Sequence, residues 1–356
     1  MYRLVEKRNM IKKLHLVDFF PKSKLKVKET MLEKPKFPFI DGHSHLQLIG
    51  GNWMEQPVED LLIMMDELNV RVIVDLDGMV NDKILLAHIK KFKEKVPDRF
   101  YHMSGVDWVK WEEKGNDFGK WAARHLEEQV KMGASGIKIW KNLGLHVKDQ
   151  KGTLVKVDDP RLDPIFETAA SLKVPVYMHI SDPVAFFDPL DRFNERWEEL
   201  NMRPDRSFVA SHFPSFVEVI EQFANRIRRH KKTVFIGCHV AGYAENLTWV
   251  SALMDECPHL YIDISGRIGE LGRQPYTARK FFLKHSNRII FGTDRLPNKE
   301  WYKIYARFLE TDDEYFNYFP VFPPKQGRWF IYGIYLPDDV LKKIYFENIL
   351  NIFSSR

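Results

Sequence analysis

Four stretches of the chain place metal-competent side chains at the ends of short apolar runs. In Phe39-Ile40-Asp41-Gly42-His43-Ser44-His45 the two histidines are two positions apart. Side chains alternate across a strand, so both imidazoles project to the same side. Paired nitrogen donors of this kind suit a borderline divalent ion such as Zn2+. His-x-His alone is a weak signal, and the other runs add to it. Val174–Met178 is followed by His179, Val234–Cys238 by His239, and Arg288–Thr293 by Asp294. A single histidine at a strand end is ordinarily a hydrogen-bonded structural residue; four such ends with related chemistry point to convergence. Gly136-Ile137-Lys138-Ile139-Trp140 adds a lysine at an inward position. Lys138 has three readings: an ion-paired structural group, a contact to substrate or behind the metal ligands, or, if carbamylated, a bridge between two metal ions.

The elements that carry these residues follow a regular alternation. Strand candidates are Phe39–Gly42, Val70–Leu76, Phe100–Val106, Gly136–Trp140, Val174–Ile180, Val234–His239, Leu260–Ile264 and Arg288–Phe291. Between them run stripes at helical spacing: Val58, Leu61, Leu62, Met65 and Leu68; Ile84, Leu85, His88, Ile89 and Phe92; Phe216, Val217, Ile220, Phe223 and Ile227. Alternating strand and helix gives an α/β fold with parallel strands, and eight runs is the count of a TIM (β/α)8 barrel. An open doubly wound sheet would share the alternation. The reactive strand ends decide for the barrel, because only there do they share one funnel. Met178 and Cys238, beside the metal candidates, are expected to face outward into core.

The segments after the fifth and eighth strands, Asp182–Ser211 and Arg295–Pro337, are long. Loops at that end of a barrel form the active-site mouth. The second is rich in aromatics, which can both anchor the loop as a local core and wall a pocket. Arg267, Arg295 and Lys138 are cations suited to a carboxylated small-molecule substrate. Arg267 has an ion pair with Asp263 or a loop acid as its competing reading, and Trp140 is a candidate pocket wall.

The chain has 356 residues, 54 Lys+Arg, 49 Asp+Glu and a net charge of +5. Eleven of those Lys/Arg fall in residues 1–36 against four acids, leaving 43 against 45 in the rest. The basicity therefore belongs to an arm, residues 1–36, ahead of a barrel at 37–356. A solvated or packing extension is the expected role for the arm, and a nucleic-acid partner is not expected from a near-neutral body. No stretch approaches the ~20 apolar residues of a membrane helix, and no secretory signal is visible. Two cysteines form no disulfide framework, so a cytoplasmic location is expected.

The set His43-x-His45, His179, His239 and Asp294 resembles the metal site of the amidohydrolase superfamily. Ile40-Asp41-Gly42-His43-Ser44-His45, Gly136-Ile137-Lys138, Phe291-Gly292-Thr293-Asp294-Arg295-Leu296-Pro297 and the C-terminal Ile344–Phe353 stretch resemble its amidohydrolase-related (type 2) branch, which includes aminocarboxymuconate-semialdehyde decarboxylase. The likeness runs from about Phe37 to Phe353. It implies that His43, His45, His179 and Asp294 ligate one divalent metal, with Zn2+ the first choice and a second ion if Lys138 is carbamylated. Asp294 would take a proton from an activated water, and His239 would polarise a carbonyl or protonate a leaving group. The expected reaction is hydrolysis of an amide, lactone or ester. The alternative is non-oxidative decarboxylation on the same barrel, and a lesser one is a binding barrel without chemistry. TatD-type nucleases are set apart by a glutamate where Lys138 stands. Dimers are frequent in this branch, so a homodimer is a further implication of the resemblance.

Overall fold

A computed structural model of the chain describes residues 14–47 and 52–354. Eight parallel strands run in chain order: β1 Phe39–Ser44, β2 Val70–Met79, β3 Phe100–Gly105, β4 Gly136–Ile139, β5 Val176–Met178, β6 Phe235–Gly237, β7 Leu260–Asp263 and β8 Ile289–Ile290. Backbone bonds close the ring beyond β8. Gly42 N–H donates to Phe291 O at 2.9 Å, His45 N–H to Arg295 O at 3.0 Å, and Thr293 N–H to His43 O at 3.1 Å. The expected barrel is present. Its strands differ from the apolar runs mainly at their ends; β5 starts only at Val176, since Pro175 has no N–H for a ladder.

The crossovers carry the outer helices, among them α1 Val58–Glu67, α2 Asp82–His88, α3 Phe118–Lys131, α4 Asp163–Ser171 and α5 Phe216–Arg229. On α5 a reciprocal Ser215–Glu218 capping box satisfies the first turn, and Phe216, Val219, Ile220, Phe223 and Ile227 are buried. Val217, expected in that stripe, is exposed, and Val219 takes its place. Two apolar layers result. Ile137, Ile139, Val176 and Met178 pack outward under the helices, while Ile40, Val72, Val74, Tyr177, Ile236 and Ile290 fill the barrel. Because Ile137 and Ile139 face out, Lys138 faces in.

Cys238 corrects an expectation. It sits inside the barrel with Ile236 rather than outside. Alternation counted from Ile236 places it there, and a left-handed turn then swings His239 inward as well, with φ of 59°, 58° and 53° at His239, Val240 and Ala241.

β1 and β2 are not regular ladders. Asp41 pairs with Ile73 and Ser44 with Asp75, so three steps on β1 match two on β2. Between β2 and β3 the register jumps from Asp75↔His102 to Met79↔Ser104. Such bulges re-aim side chains. Both fall at the mouth end of the barrel.

The N-terminal arm lies against the segment after β8. Lys28 pairs with Asp312 and Lys36 with Asp338, both at 2.6 Å, and Thr30 N–H donates to Asp313 at 2.7 Å. Arg3, Lys7, Arg8, Lys12 and Lys13 of the arm lie outside the described residues. Among the described residues no helix is long and apolar enough to cross a membrane.

Candidate metal centre and active site

The bulge at the end of β1 and the turn after β8 bring His43, His45 and Asp294 together, with one donor atom of each within 4.8 Å of the others. Asp294 Oδ1 is 3.2 Å from His43 Nε2 and 3.1 Å from His45 Nε2. The His239 ring centre is 4.9 Å from that of His43, and His179 is 4.3 Å from His239. All five residues expected from the strand ends therefore meet in one place, with His179 adjoining the three-donor cluster through His239.

What stands behind the imidazoles decides what they can do. Asp263 Oδ2 lies 2.8 Å from His43 Nδ1, and Asp77 Oδ1 lies 2.8 Å from His45 Nδ1. A carboxylate on Nδ1 fixes the ring and leaves the Nε2 lone pair facing forward. His239 gives its Nδ1 proton to Ser265 O at 2.7 Å, with the same result. The Nε2 atoms of His43 and His179 are buried and make no hydrogen bond. Orphaned buried acceptors are costly in a folded protein. Imidazole nitrogens and a carboxylate converging on one point are the donor set of a borderline divalent cation, so the residues fit the implied metal.

Burial pushes the His179 and His239 imidazoles well below the ordinary range, and neighbouring basic side chains, the His239 ring for His179 and the Arg267 guanidinium for His239, disfavour a charge there further. Both rings are thus neutral and available as donors. Burial alone would raise the Asp294 carboxyl, but His239 and the contacts from His43 and His45 outweigh it and hold Asp294 well below the usual carboxylate range. His239 and Asp294 both adopt left-handed backbone, with φ of 59° and 58°. For a non-glycine residue this costs about 1–2 kcal/mol. It is held in place by His239 N–H to Asp263 Oδ1 at 2.9 Å and Asp294 N–H to His43 O at 2.8 Å. Strain of this kind gathers at functional sites.

A cavity of about 680 Å3 opens in front of the cluster, with His179, His239, Asp294, Arg267 and Arg295 on its walls. The segments after β5 and β8 supply most of the rest, including Arg206, Phe319 and Lys325. Arg295 is stacked over Trp301 at 4.7 Å and Phe319 at 5.9 Å, its Nε is buried without a partner, and no carboxylate lies within 4.0 Å of its guanidinium among the described residues. Arg267 donates to Gly266 O at 3.0 Å and makes no ion pair with Asp263, whose oxygens are committed to His43 and His239. The aromatic segment serves both expected purposes: Tyr318 stacks on Trp329 as local core, and Phe319 reaches the cavity.

Lys138 and Trp140 stand elsewhere than expected. Neither lines the cavity. Lys138 is fully buried, its Nζ 3.1 Å from Cys238 Sγ and 5.1 Å from the Trp140 ring, with no carboxylate in ion-pair range among the described residues. Trp140 packs 5.6 Å from His45. Two residues went unseen as site members. Asp263 carried a usable signal, since it is two positions from the inward-facing Tyr261 at the end of β7. Asp77 carried none, because its direction is set by the bulge in β2.

A family model described as amidohydrolase matches residues 52–354, most of the chain, although His43 and His45 precede the matched range. No curated protein matches. Among solved structures the chain is similar to a 2,6-dihydroxybenzoate decarboxylase from Rhizobium, at 15% identity and a TM-score of 0.52 over 90% of this chain and 99% of that one. A dihydroxybenzoic acid decarboxylase from Polaromonas with bound manganese and the inhibitor 2-nitroresorcinol gives 16%, 0.54, 90% and 98%. An uncharacterised TIM-barrel protein from Bordetella bronchiseptica gives 15%, 0.53, 89% and 99%. At such identities these likenesses show the fold alone.

Proposed function

The chain belongs to the amidohydrolase family, and from that premise we propose that it is a metal-dependent, non-oxidative decarboxylase of a small aromatic or unsaturated carboxylic acid. The observation that carries the reading is Arg295, an unpaired guanidinium fixed between two aromatic rings on the cavity wall, directly after Asp294. A half-buried cation with no protein acid beside it is a receptor for an anionic group of the substrate. The names of two fold relatives, both dihydroxybenzoate decarboxylases, agree with this chemistry.

His43, His45, His179 and Asp294 would hold the ion. When bound, it supplies a fixed positive charge that neutralises substrate oxygens and acts as a Lewis acid. Arg295 orients the carboxylate, and Arg267 lines the same cavity. The reaction breaks one C–C bond: the carboxylate leaves as CO2 with the bonding pair left on carbon, and one proton replaces it. His239, with Nδ1–H committed to Ser265 O, presents Nε2 as the position where that proton is held. Phe319, from the aromatic segment, lines the same cavity.

The test is CO2 release from a panel of carboxylated phenols, 2,6-dihydroxybenzoate among them, with the chain loaded with Mn2+ or Zn2+. One CO2 per phenol formed supports the reading. Cleavage of amides, lactones or esters with no CO2 from any acid would replace it with metal-assisted hydrolysis. That second reading is favoured by Asp294, which the two histidines orient as an ionised acceptor for a water proton.

A further inference from the structure

A second histidine–carboxylate cluster lies behind β2 and β3, away from the mouth cavity. Asp75 Oδ2 lies 3.1 Å from His88 Nδ1 and 3.0 Å from His102 Nδ1, and all three side chains are fully buried. His88 comes from α2, and His102 from β3. The cluster is joined to the metal candidates by an unbroken run of hydrogen bonds. His88 Nε2 meets the Gln47 side chain at 2.9 Å, Gln47 N–H donates to Asp77 Oδ2 at 2.9 Å, and Asp77 Oδ1 holds His45 Nδ1 at 2.8 Å. A second link runs through the strand itself, where Asp77 N–H donates to Asp75 Oδ1 at 3.1 Å.

The links matter because of where they fall. Asp77 lies in the interval where β2 loses register with β3, between Asp75 and Met79, and Gln47 follows the slip in β1. In a regular ladder, backbone bonds would fix both. Here side chains take over that task. The carboxylate that orients a metal-ligating histidine typically changes metal affinity 10–100-fold when it is lost. Whatever fixes that carboxylate inherits part of the effect.

We infer that His88 is a positioning residue for the metal centre: acting through Gln47 and Asp77, it sets the ring of His45 without touching metal or substrate. This rests on the proposed role of His45 as a ligand. His102 provides an internal control. It hydrogen-bonds the same Asp75 oxygen, but its Nε2 has no partner and faces Phe92 and Phe100.

The experiment measures Mn2+ dissociation constants on the full chain by calorimetry, with the Co2+ absorption spectrum as a readout of ligand geometry. His88→Phe is expected to weaken Mn2+ binding by about 10-fold and to alter the Co2+ spectrum, within the range for partners of ligating histidines. His102→Phe should stay within about 3-fold of the parent. Should His88→Phe fail to fold, Gln47→Leu cuts the same path at an exposed side chain and should show the same direction. Equal losses in the His88 and His102 variants would reduce the cluster to general packing and overturn the inference. So would unchanged Mn2+ affinity in both the His88 and Gln47 variants. A parent protein that binds no divalent ion would overturn the metal reading itself, a result distinct from either.

Discussion

Two buried groups of histidine and aspartate sit on opposite sides of the first barrel strands, and they resemble each other in composition alone. At the mouth, His43, His45 and Asp294 converge, with Asp263 and Asp77 standing behind the rings. Behind β2 and β3, Asp75 stands in the middle, between the Nδ1 atoms of His88 and His102. In the first group the carboxylates occupy Nδ1 from the rear, so the Nε2 atoms of His43 and His45 turn toward Asp294, which lines the cavity, and that of His43 has no hydrogen-bond partner. In the second the carboxylate is the centre, the Nε2 atoms point away, and no described cavity opens onto them. Counting donors does not identify a site. What identifies it is which nitrogen is already committed and whether there is room in front of the other.

The comparison can be broken most severely at its centre. Asp294→Asn or His45→Ala should abolish stoichiometric metal by elemental analysis and lower turnover by about 1,000-fold or more, as expected when metal activation is lost. Retained metal in both variants would erase the distinction between the clusters. Next in size, Asp263→Asn keeps the shape of the side chain but weakens the hold on His43. Mn2+ affinity should fall about 10–100-fold while the melting temperature of the metal-free protein changes little.

Arg295→Met preserves stacking length and removes the charge. KM for a carboxylated phenol should rise about 10-fold, worth about 1.4 kcal/mol at the low end for a charge-assisted hydrogen bond, with metal content unchanged. An unchanged KM would leave the substrate carboxylate without its receptor.

The smallest effect is a pH dependence belonging to the rear cluster. Burial alone would raise the Asp75 carboxyl, but hydrogen bonds from His102 and His88 outweigh it and hold Asp75 well below its ordinary value of 3.8. The unfolded chain takes up that proton near pH 4, whereas the folded chain resists it. The contribution to stability is therefore present above about pH 4 and lost as pH falls below it. In urea unfolding, the stability gap between the parent and Asp75→Asn should narrow from pH 6 to pH 3. A gap that holds constant would mean that the pairing contributes no charge-linked stability.

Much of this molecule is legible in its sequence. The eight apolar runs locate every strand, and His43, His45, His179, His239 and Asp294 are found because each ends one of them. Arg295 and Arg267 are found as cations beyond strand ends, and both reach the cavity. Asp263 was within reach of the same reasoning, since it keeps step with Tyr261. Two expectations are missed even though alternation, counted from Ile236 and along β4, already places both side chains inside the barrel. Cys238 turned inward, and Lys138 lies against it rather than on the cavity wall.

What the sequence determines by itself is the kind of fold and the set of reactive side chains, because hydrophobic periodicity and residue type are local properties. The tertiary structure decides which way each side chain faces where the local period fails: at the bulges after Asp41 and Asp75, and at the left-handed residues His239 and Asp294. It also decides which carboxylate stands behind which imidazole, as Asp263 does for His43 from 220 positions away. Such pairings are fixed by ring closure of the barrel, a long-range constraint with no local trace. Two clusters of the same residue types therefore differ in function only once the chain has closed.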